Sequence, residues 1–332
     1  MKVLVTGATS MIGRQVAGRL TARGDEVRTL QRTSPRSGAG PAEPPGEAVL
    51  GSVADRDAAA RACAGCDAVI HLAAKVGVTG TWAEYEQTNV AGTATMLAAA
   101  RAAGVAAFVH VSTPSVAHAG VALVGAAAEP ADPGRTRGHY ATSKAIAERH
   151  ALAANSAAMP IAVIRPHLVW GPGDTQLVGR IVERARRGRL ALVGSGAALV
   201  DSTYVDNAAD ALIAALDRAG AVAGRPLVVS TGEPRTVHEL VAWILAAAGV
   251  DWTPRHVPTP MAVGAGAVAE RVWERAGRVD DPPITSFLAE QLATAHWFDQ
   301  RATRAALQWL PAVSLADGFA RLADWYRGAP GL

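Results

Sequence analysis

Residues 5–13, VTGATSMIG, join a short apolar run, KVLVTG (2–7), to the amphipathic pattern of residues 12–23. Strand, small-residue turn and helix in that order make a phosphate cradle. The turn aims the first amides of the helix at a pyrophosphate, and small residues let helix and strand touch. Gly7 stands at the turn and Gly13 within the helix, in the spacing TGxxSxxG, with Thr9, Ser10, Met11 and Ile12 between them. Ser10 stands where such turns usually carry a glycine. Its N–H survives and its hydroxyl can donate, so the expectation is a working cradle, slightly reshaped. Alone the motif is weak, because a glycine-rich turn without a ligand reads the same way.

The rest of the chain supplies the context. Apolar, β-rich runs, EVRTLQ (26–31), DAVIHLAA (67–74), AAFVHVST (106–113) and IAVIRP (161–166), alternate with helical patterns at 12–23, 55–64, 84–103 and 140–155. That rhythm predicts βαβ units in an α/β, doubly wound parallel sheet of Rossmann type. In such sheets ligands bind beyond the carboxyl ends of the strands. Residues 33–47 are rich in Pro, Gly and Ser and read as a surface loop. After residue 169 the alternation decays, which predicts a second, smaller C-terminal substrate domain. The expected division is 1–168 for the dinucleotide-binding domain, with 203–231 returning to it, and 169–202 with 232–330 for the substrate domain.

Composition narrows the function classes. Of 332 residues half are apolar and 18% charged, with a net charge of +3. The densest basic run, RARRGR (184–189), reads as the polar end of a helix, so no nucleic acid is expected. The longest apolar stretches, 241–250 and 260–269, fall short of the roughly 20 residues of a membrane span. Cys63 and Cys66 form a CxxC at a helix end and read as structural; a redox pair favours the positive N-terminal end. No metal is expected. Nothing precedes the first strand, which makes the cytoplasm the default location.

Cofactor identity is read at the end of the second strand, where a carboxylate would accept from ribose hydroxyls and an arginine would welcome a 2′-phosphate. The stretch TLQRTSPR (29–36) offers Gln31, Arg32 and Arg36 and no carboxylate. NADP(H) is therefore favoured over NAD(H).

Only three of the 32 basic residues are lysines, Lys2, Lys75 and Lys144. Lys144 follows Tyr140 by four positions in GHYATSKA (138–145), hence on one helical face. An ammonium beside a phenol favours the phenolate, so the pair can exchange a proton with a carbinol or carbonyl oxygen. Ser112 and Thr113 end another predicted strand, where a hydroxyl can reach the reacting oxygen.

TGATSMIG, HLAA (71–74), TNVAGT (88–93), HVSTPSV (110–116), YATSK, RPHLVWGPGD (165–174) and TYVDNAADA (203–211) together resemble an extended short-chain dehydrogenase/reductase over essentially the whole chain. The resemblance implies that Thr113 is the catalytic hydroxyl, Tyr140 the acid/base, Lys144 the ribose anchor that tunes it, and Asn89 a helper in the proton relay. It places Leu72, Ala73 and Ala74 along the cofactor and Pro166 beside the nicotinamide, with backbone of His167 and Leu168 meeting the carboxamide. Ser52, next to Val53, stands where an Asp commonly contacts the adenine.

Within the family, 4,6-dehydratases place an Asp-Glu pair after the catalytic Thr; here Pro114 and Ser115 follow. Epimerases tend to show VYG where this chain has Val116, Ala117 and His118. HLAAKVG (71–77), RIVERARRGRLALVGSG (180–196) and STYVDNAADA (202–211) are similar to the 3β-hydroxysteroid dehydrogenase-like branch, particularly its 2-alkyl-3-ketoalkanoate reductases. That likeness implies NADPH-dependent reduction of a ketone on an apolar substrate, a long-chain 2-alkyl-3-keto acid or a steroid-like compound. Lys75 would hold a substrate carboxylate, and Ser115, Trp170 and Trp82 would lie near the cleft. Asp206 and Asn207 read as the cap of a helix over 207–218. Dimerisation through a four-helix contact is common in such folds, so a homodimer is an expectation. Two alternatives stay open: a nucleotide-sugar epimerase or reductase whose basic helix 180–189 grips a diphosphate, and a protein that binds NADP(H) without turnover.

Overall fold

The computed structural model describes residues 1–33, 44–77, 79–117, 120–276 and 282–328. Arg36, most of the 33–47 loop and His118 lie outside the described residues. In chain order the first half contains β1 (Lys2–Thr6), α1 (Met11–Ala22), β2 (Glu26–Gln31), β3 (Glu47–Leu50), α2 (Arg56–Cys63), β4 (Ala68–His71) and α3 (Trp82–Tyr85). A π-helical segment (Glu86–Ala91) leads into α4 (Gly92–Ala102), followed by β5 (Ala107–Val111), β6 (Leu123–Ala126), α5 (Gly138–Ala153) and β7 (Ile161–Pro166). The second half contains β8 (Val169–Trp170), α6 (Val178–Arg186), β9 (Leu192–Val193), β10 (Leu199–Val200), β11 (Thr203–Tyr204), α7 (Val205–Asp217), α8 (Ala219–Val222) and β12 (Pro226–Val229). It closes with β13 (Arg235–Thr236), α9 (Val237–Ala247), β14 (His256–Val257), α10 (Thr259–Arg275), α11 (Ser286–Ala293), β15 (His296–Phe298), α12 (Arg301–Leu307) and α13 (Leu315–Gly328).

Seven strands form a parallel sheet in the order β12-β7-β5-β4-β1-β2-β3. The chain runs outward from β1 to β3 and returns to β4, so the strand order reverses between β1 and β4, where a crevice opens at the strand ends. Side-chain alternation explains the double winding. Val3 and Val5 pack with Val16 and Leu20 of α1 and Leu212 of α7 on one face; Leu4 packs with Met96 of α4 and Phe108 on the other. Edge strand β3, which is not among the expected strands, starts at the last residue of the 33–47 loop, and β12 completes the opposite edge.

A further apolar core gathers Trp170, Leu240, Ile244, Phe319 and Leu322, with Met11 and Ile12 of the cradle packed against it. Two tethers tie this region to the sheet. The buried Asp201 carboxylate accepts from Ser230 Oγ at 2.6 Å and from the backbone N–H of Ser202, Gly232 and Glu233. Asn207 Nδ2 donates to Val313 O at 2.7 Å, and its Oδ1 accepts from Val313 N at 3.0 Å.

The structure corrects the expected cap at Asp206 and Asn207. The helix starts earlier, at Val205, and Tyr204 is its N-cap without a side-chain bond. Asp206 sits in the first turn and pairs with Arg19 and Arg321, while Asn207 points inward to the 313 segment. Cys63 and Cys66 are buried free thiols, and burial pushes Cys63 up to about 12. No described helix is long and apolar enough to cross a membrane.

Candidate active site

The cradle shows why its two glycines are fixed and its serine is not. Gly7 has φ of +70°, and a Cβ there would lie 2.9 Å from Ala73 N; at Gly13 it would lie 2.3 Å from Gly7 O. Ser10 has φ of −71°, extended backbone open to any residue, and its Oγ accepts from Gly13 N at 3.0 Å as the N-cap of α1. The departure from glycine therefore supplies a helix cap. Arg14, absent from the sequence reading, donates to Thr9 O at 2.5 Å and braces the turn. The amides of Met11 and Ile12, in the first turn, have no intrahelical acceptor and face the crevice end of the sheet.

At the end of β2, Gln31 is buried and its side-chain amide has no hydrogen-bond partner among the described residues, whereas Arg32, the next residue, is exposed. A buried orphan amide at the strand end and free first-turn amides fit a dinucleotide. Ser52 Oγ accepts from Ala54 N at 3.2 Å, and the Val53 side chain packs towards Gly92. Leu72 and Ala73 run beside the turn, with Leu72 N donating to Thr6 O and Ala73 N to Thr6 Oγ1, and Ala74 follows half-buried.

Tyr140 and Lys144 share one face of α5, as their spacing predicts. Thr113, just past β5, lies near enough to the Tyr140 phenol to pull its pKa down, and its Oγ1 donates to Ser115 Oγ at 3.3 Å. Burial pushes the phenol up to about 12, with the Thr113 contact pulling it back. Lys144 is not among the groups that shift the phenol. Its Nζ is buried and donates to Val111 O at 2.6 Å, and burial lowers it to about 8, Glu148 opposing. One of its three N–H groups is thus spent on the strand and two remain.

Asn89 lies in the π-helical segment, inside what the sequence predicts as one continuous helix over 84–103. The wide turn aims Asn89 inward, a device common at functional sites. Its Oδ1 accepts from Lys75 N at 2.7 Å, and Nδ2 donates to Lys75 O at 3.1 Å and to Ser143 Oγ at 2.9 Å. Ser143 Oγ in turn donates to Tyr140 O. Asn89 therefore clamps the loop after β4 to the catalytic helix. Lys75 is not a free ammonium: Glu84 lies 3.7 Å away and the Tyr85 ring 5.1 Å away. Trp82 stands edge-on to His139 at 5.8 Å.

At the end of β7, Pro166 is half-buried and Leu168 adopts φ of +45°, a strained value for a leucine. The backbone of His167 is committed within the fold, its N–H to Val229 O and its carbonyl to Thr203 Oγ1. The carbonyl of Leu168 accepts from Thr203 N, which leaves the Leu168 N–H as the available donor for a carboxamide. Arg165 turns away from the crevice to grip the buried Glu148.

From His167 and Leu168 an apolar cavity of about 140 Å³ runs between α6, α9, α11 and α13. Trp170, Val241, Ile244, Leu292 and Phe319 are among its walls, and no lysine or arginine lines it. Trp170 Nε1 donates to Ser202 Oγ, so the indole presents only its apolar ring. Tyr140 and Thr113 do not line this cavity; the link is α11. Its Leu288, Gln291 and Leu292 are walls, while Glu290 pairs with Arg137 at the start of α5. Ser143 and Glu148 on α5 and Arg165 on β7 carry no sequence signal beyond polar residues in apolar segments, and Arg137 none beyond an exposed charge.

Residues 3–230 match the model of the NAD dependent epimerase/dehydratase family. The chain is 41% identical over 331 residues to a 2-alkyl-3-oxoalkanoate reductase of Stenotrophomonas maltophilia, covering 97% of this chain and 98% of the relative. It is 35% identical to another protein of that name from Shewanella oneidensis, covering 96% and 84%. Among solved structures it resembles a dTDP-glucose 4,6-dehydratase double mutant from Streptomyces venezuelae with NAD and DAU bound, at a TM-score of 0.75 and 28% identity over 100% and 98% of the two chains.

Proposed function

The chain belongs to the NAD dependent epimerase/dehydratase family, and from that membership we propose a ketoreductase that uses NADP(H) and interconverts a ketone and a secondary alcohol on an apolar substrate. Full-length likeness to the two 2-alkyl-3-oxoalkanoate reductases points to a long-chain 2-alkyl-3-keto acid. The observation that carries the reading is the cavity at the end of β7. Its walls suit methylene groups, each contributing about 0.8 kcal/mol on burial, and offer no cation to a nucleotide-sugar diphosphate.

The cradle from Gly7 to Gly13 would hold the pyrophosphate, Gln31 and Arg32 the adenosine end, and Lys144 the ribose. Gln31 in place of a carboxylate, with Arg32 beside it, favours a 2′-phosphate and hence NADP(H) over NAD(H). When bound, the nicotinamide supplies the hydride. Tyr140, protonated at neutral pH, donates from its hydroxyl to the carbonyl oxygen as that oxygen gains charge. Thr113 Oγ1 steadies the same oxygen. Lys144 contributes positive charge below about pH 8, and Asn89 and Ser143 hold the helix against the Lys75 loop. Residues 169–202 and 232–330 supply the substrate side.

Absorbance of NADPH and of NADH is followed with 2-alkyl-3-keto acids, ketosteroids and nucleotide sugars side by side. Oxidation of NADPH by the keto acid, faster than that of NADH, is the expected result. Conversion of a nucleotide sugar without net NADPH loss would establish the epimerase reading. Tight NADPH binding with no carbonyl turned over would leave a protein that binds without turnover.

A further inference from the structure

Phe319 lies on two apolar spaces at once. On one side it closes the cavity that starts at His167, stacked on Trp170 at 4.2 Å between ring centroids. On the other it floors an open recess of about 360 Å³ between α9 and α13, where it meets Trp243 edge-on at 5.3 Å. The other walls of that recess are Ala246, Ala247, Ala316 and Ala323. Alanines on both helices leave room where larger residues would close the seam between α9 and α13. No other residue is shared by the two linings.

The inner cavity, at about 140 Å³, falls below the roughly 300–1,000 Å³ of ordinary ligand pockets. With the outer recess the path reaches that range. The Phe319 ring, buried between Trp170 and Trp243, is the one side chain common to both.

We propose that Phe319 is a movable partition and that the α9–α13 recess is a second subsite, which takes the distal methylenes of one long alkyl arm of the substrate. This rests on the ketoreductase reading for its occupant. The chain enters at His167 and Leu168, displaces the Phe319 ring from Trp170, and lies on Trp243 and the four alanines. The partition lets short substrates find a closed apolar cavity and long ones a through-passage.

The test uses a homologous series of 2-alkyl-3-keto acids with one arm lengthened stepwise. In the wild type, kcat/KM rises about fourfold per methylene and continues to rise beyond the length that fills the inner cavity. Ala316→Trp and Ala247→Phe, which fill the recess from opposite helices, lower the ratio of kcat/KM for the longest against the shortest member at least tenfold. A general packing defect lowers both members and leaves the ratio unchanged; that result, or a wild-type plateau at the inner-cavity length, overturns the proposal. A binding readout separates this from failure of the reductase reading. A long arm carrying a terminal bromine quenches tryptophan emission in the wild type and loses most of that quenching in Trp243→Phe, whether or not the ketone is reduced. Equal quenching in the two proteins overturns the subsite, and absence of turnover with intact Trp243-dependent quenching overturns only the reductase.

Discussion

Arg165 grips Glu148 one helical turn beyond Lys144, with Nε to Oε2 at 2.9 Å and Nη2 to Oε1 at 2.5 Å, both side chains buried. The third guanidinium nitrogen donates to Glu129 O at 2.7 Å. Glu148 also raises Lys144 against the lowering effect of burial. One carboxylate thus neutralises an arginine in the core and holds up the charge of the lysine at the site. Besides Glu148, the groups coupled to Lys144 are His71 on β4 and His110 on β5, both held neutral. Glu148→Gln should leave a buried guanidinium unpaired, at a cost on the order of 3–5 kcal/mol in denaturant unfolding. It should also lower Lys144 further, so the fall of kcat/KM that accompanies loss of the ammonium, near pH 8 in the wild type, moves to lower pH. A loss of stability with an unmoved pH profile would separate Glu148 from Lys144.

Tyr140 is the one group whose proton the proposed reaction needs. Tyr140→Phe keeps the ring and removes only the hydroxyl, so turnover should fall about 10²–10⁴-fold. NADPH affinity, set by the cradle and Lys144, should stay within about threefold. Fluorescence titration of NADPH beside steady-state turnover checks both. Equal losses in the two would contradict the role assigned to the phenol.

What the sequence shows of this site is what local chemistry dictates. Gly7 and Gly13 are legible because only glycine fits the positive φ of one and the close approach of the other. Tyr140, Lys144 and Thr113 are legible because four residues of helix and one strand end suffice to align them. Contacts between distant segments are not legible in this way. Glu148 and Arg165 look like two ordinary charges until α5 packs on β7. The π-helical turn that aims Asn89 inward leaves no trace in a 3.6-residue period. Asp206 and Asn207 have the residue types of a helix cap, yet Asp201 and Asn207 serve as tethers between segments, because burial rather than type decides which polar group must find partners.

The Ser10 cap can be isolated by two substitutions. Ser10→Ala removes the acceptor of Gly13 N and should cost about 1 kcal/mol; Ser10→Gly restores the usual family residue and should cost only a few tenths. Urea midpoints at neutral pH give the difference. Identical midpoints for all three proteins would show that the 3.0 Å bond to Gly13 N adds nothing to stability, and that the serine serves the ligand alone.

His71 and His110 stand side by side in the sheet, ring centroids 5.8 Å apart, beneath the Lys144 ammonium. Thr6 Oγ1 accepts from Ala73 N and lies 2.8 Å from His71 Nδ1, and His71 Nε2 lies 3.2 Å from Thr93 Oγ1, so each ring nitrogen has a hydroxyl partner. Burial first, and Lys144 second, hold His71 down to about 3, and the same causes together with His71 hold His110 well below 6.5. Above pH 6.5 both folded and unfolded states carry neutral rings. As pH falls through 6.5 the unfolded chain takes up protons that the folded one refuses, so stability is lost by about 1.4 kcal/mol per unit for each ring. Neither ring nitrogen of His110 has a partner among the described residues, so His110→Leu removes its share without orphaning a neighbour. The drop in unfolding free energy between pH 7.5 and pH 5 should therefore shrink by about 2 kcal/mol in that variant. An unchanged drop would mean that His110 is protonated in the folded protein and that the floor of the site is charged.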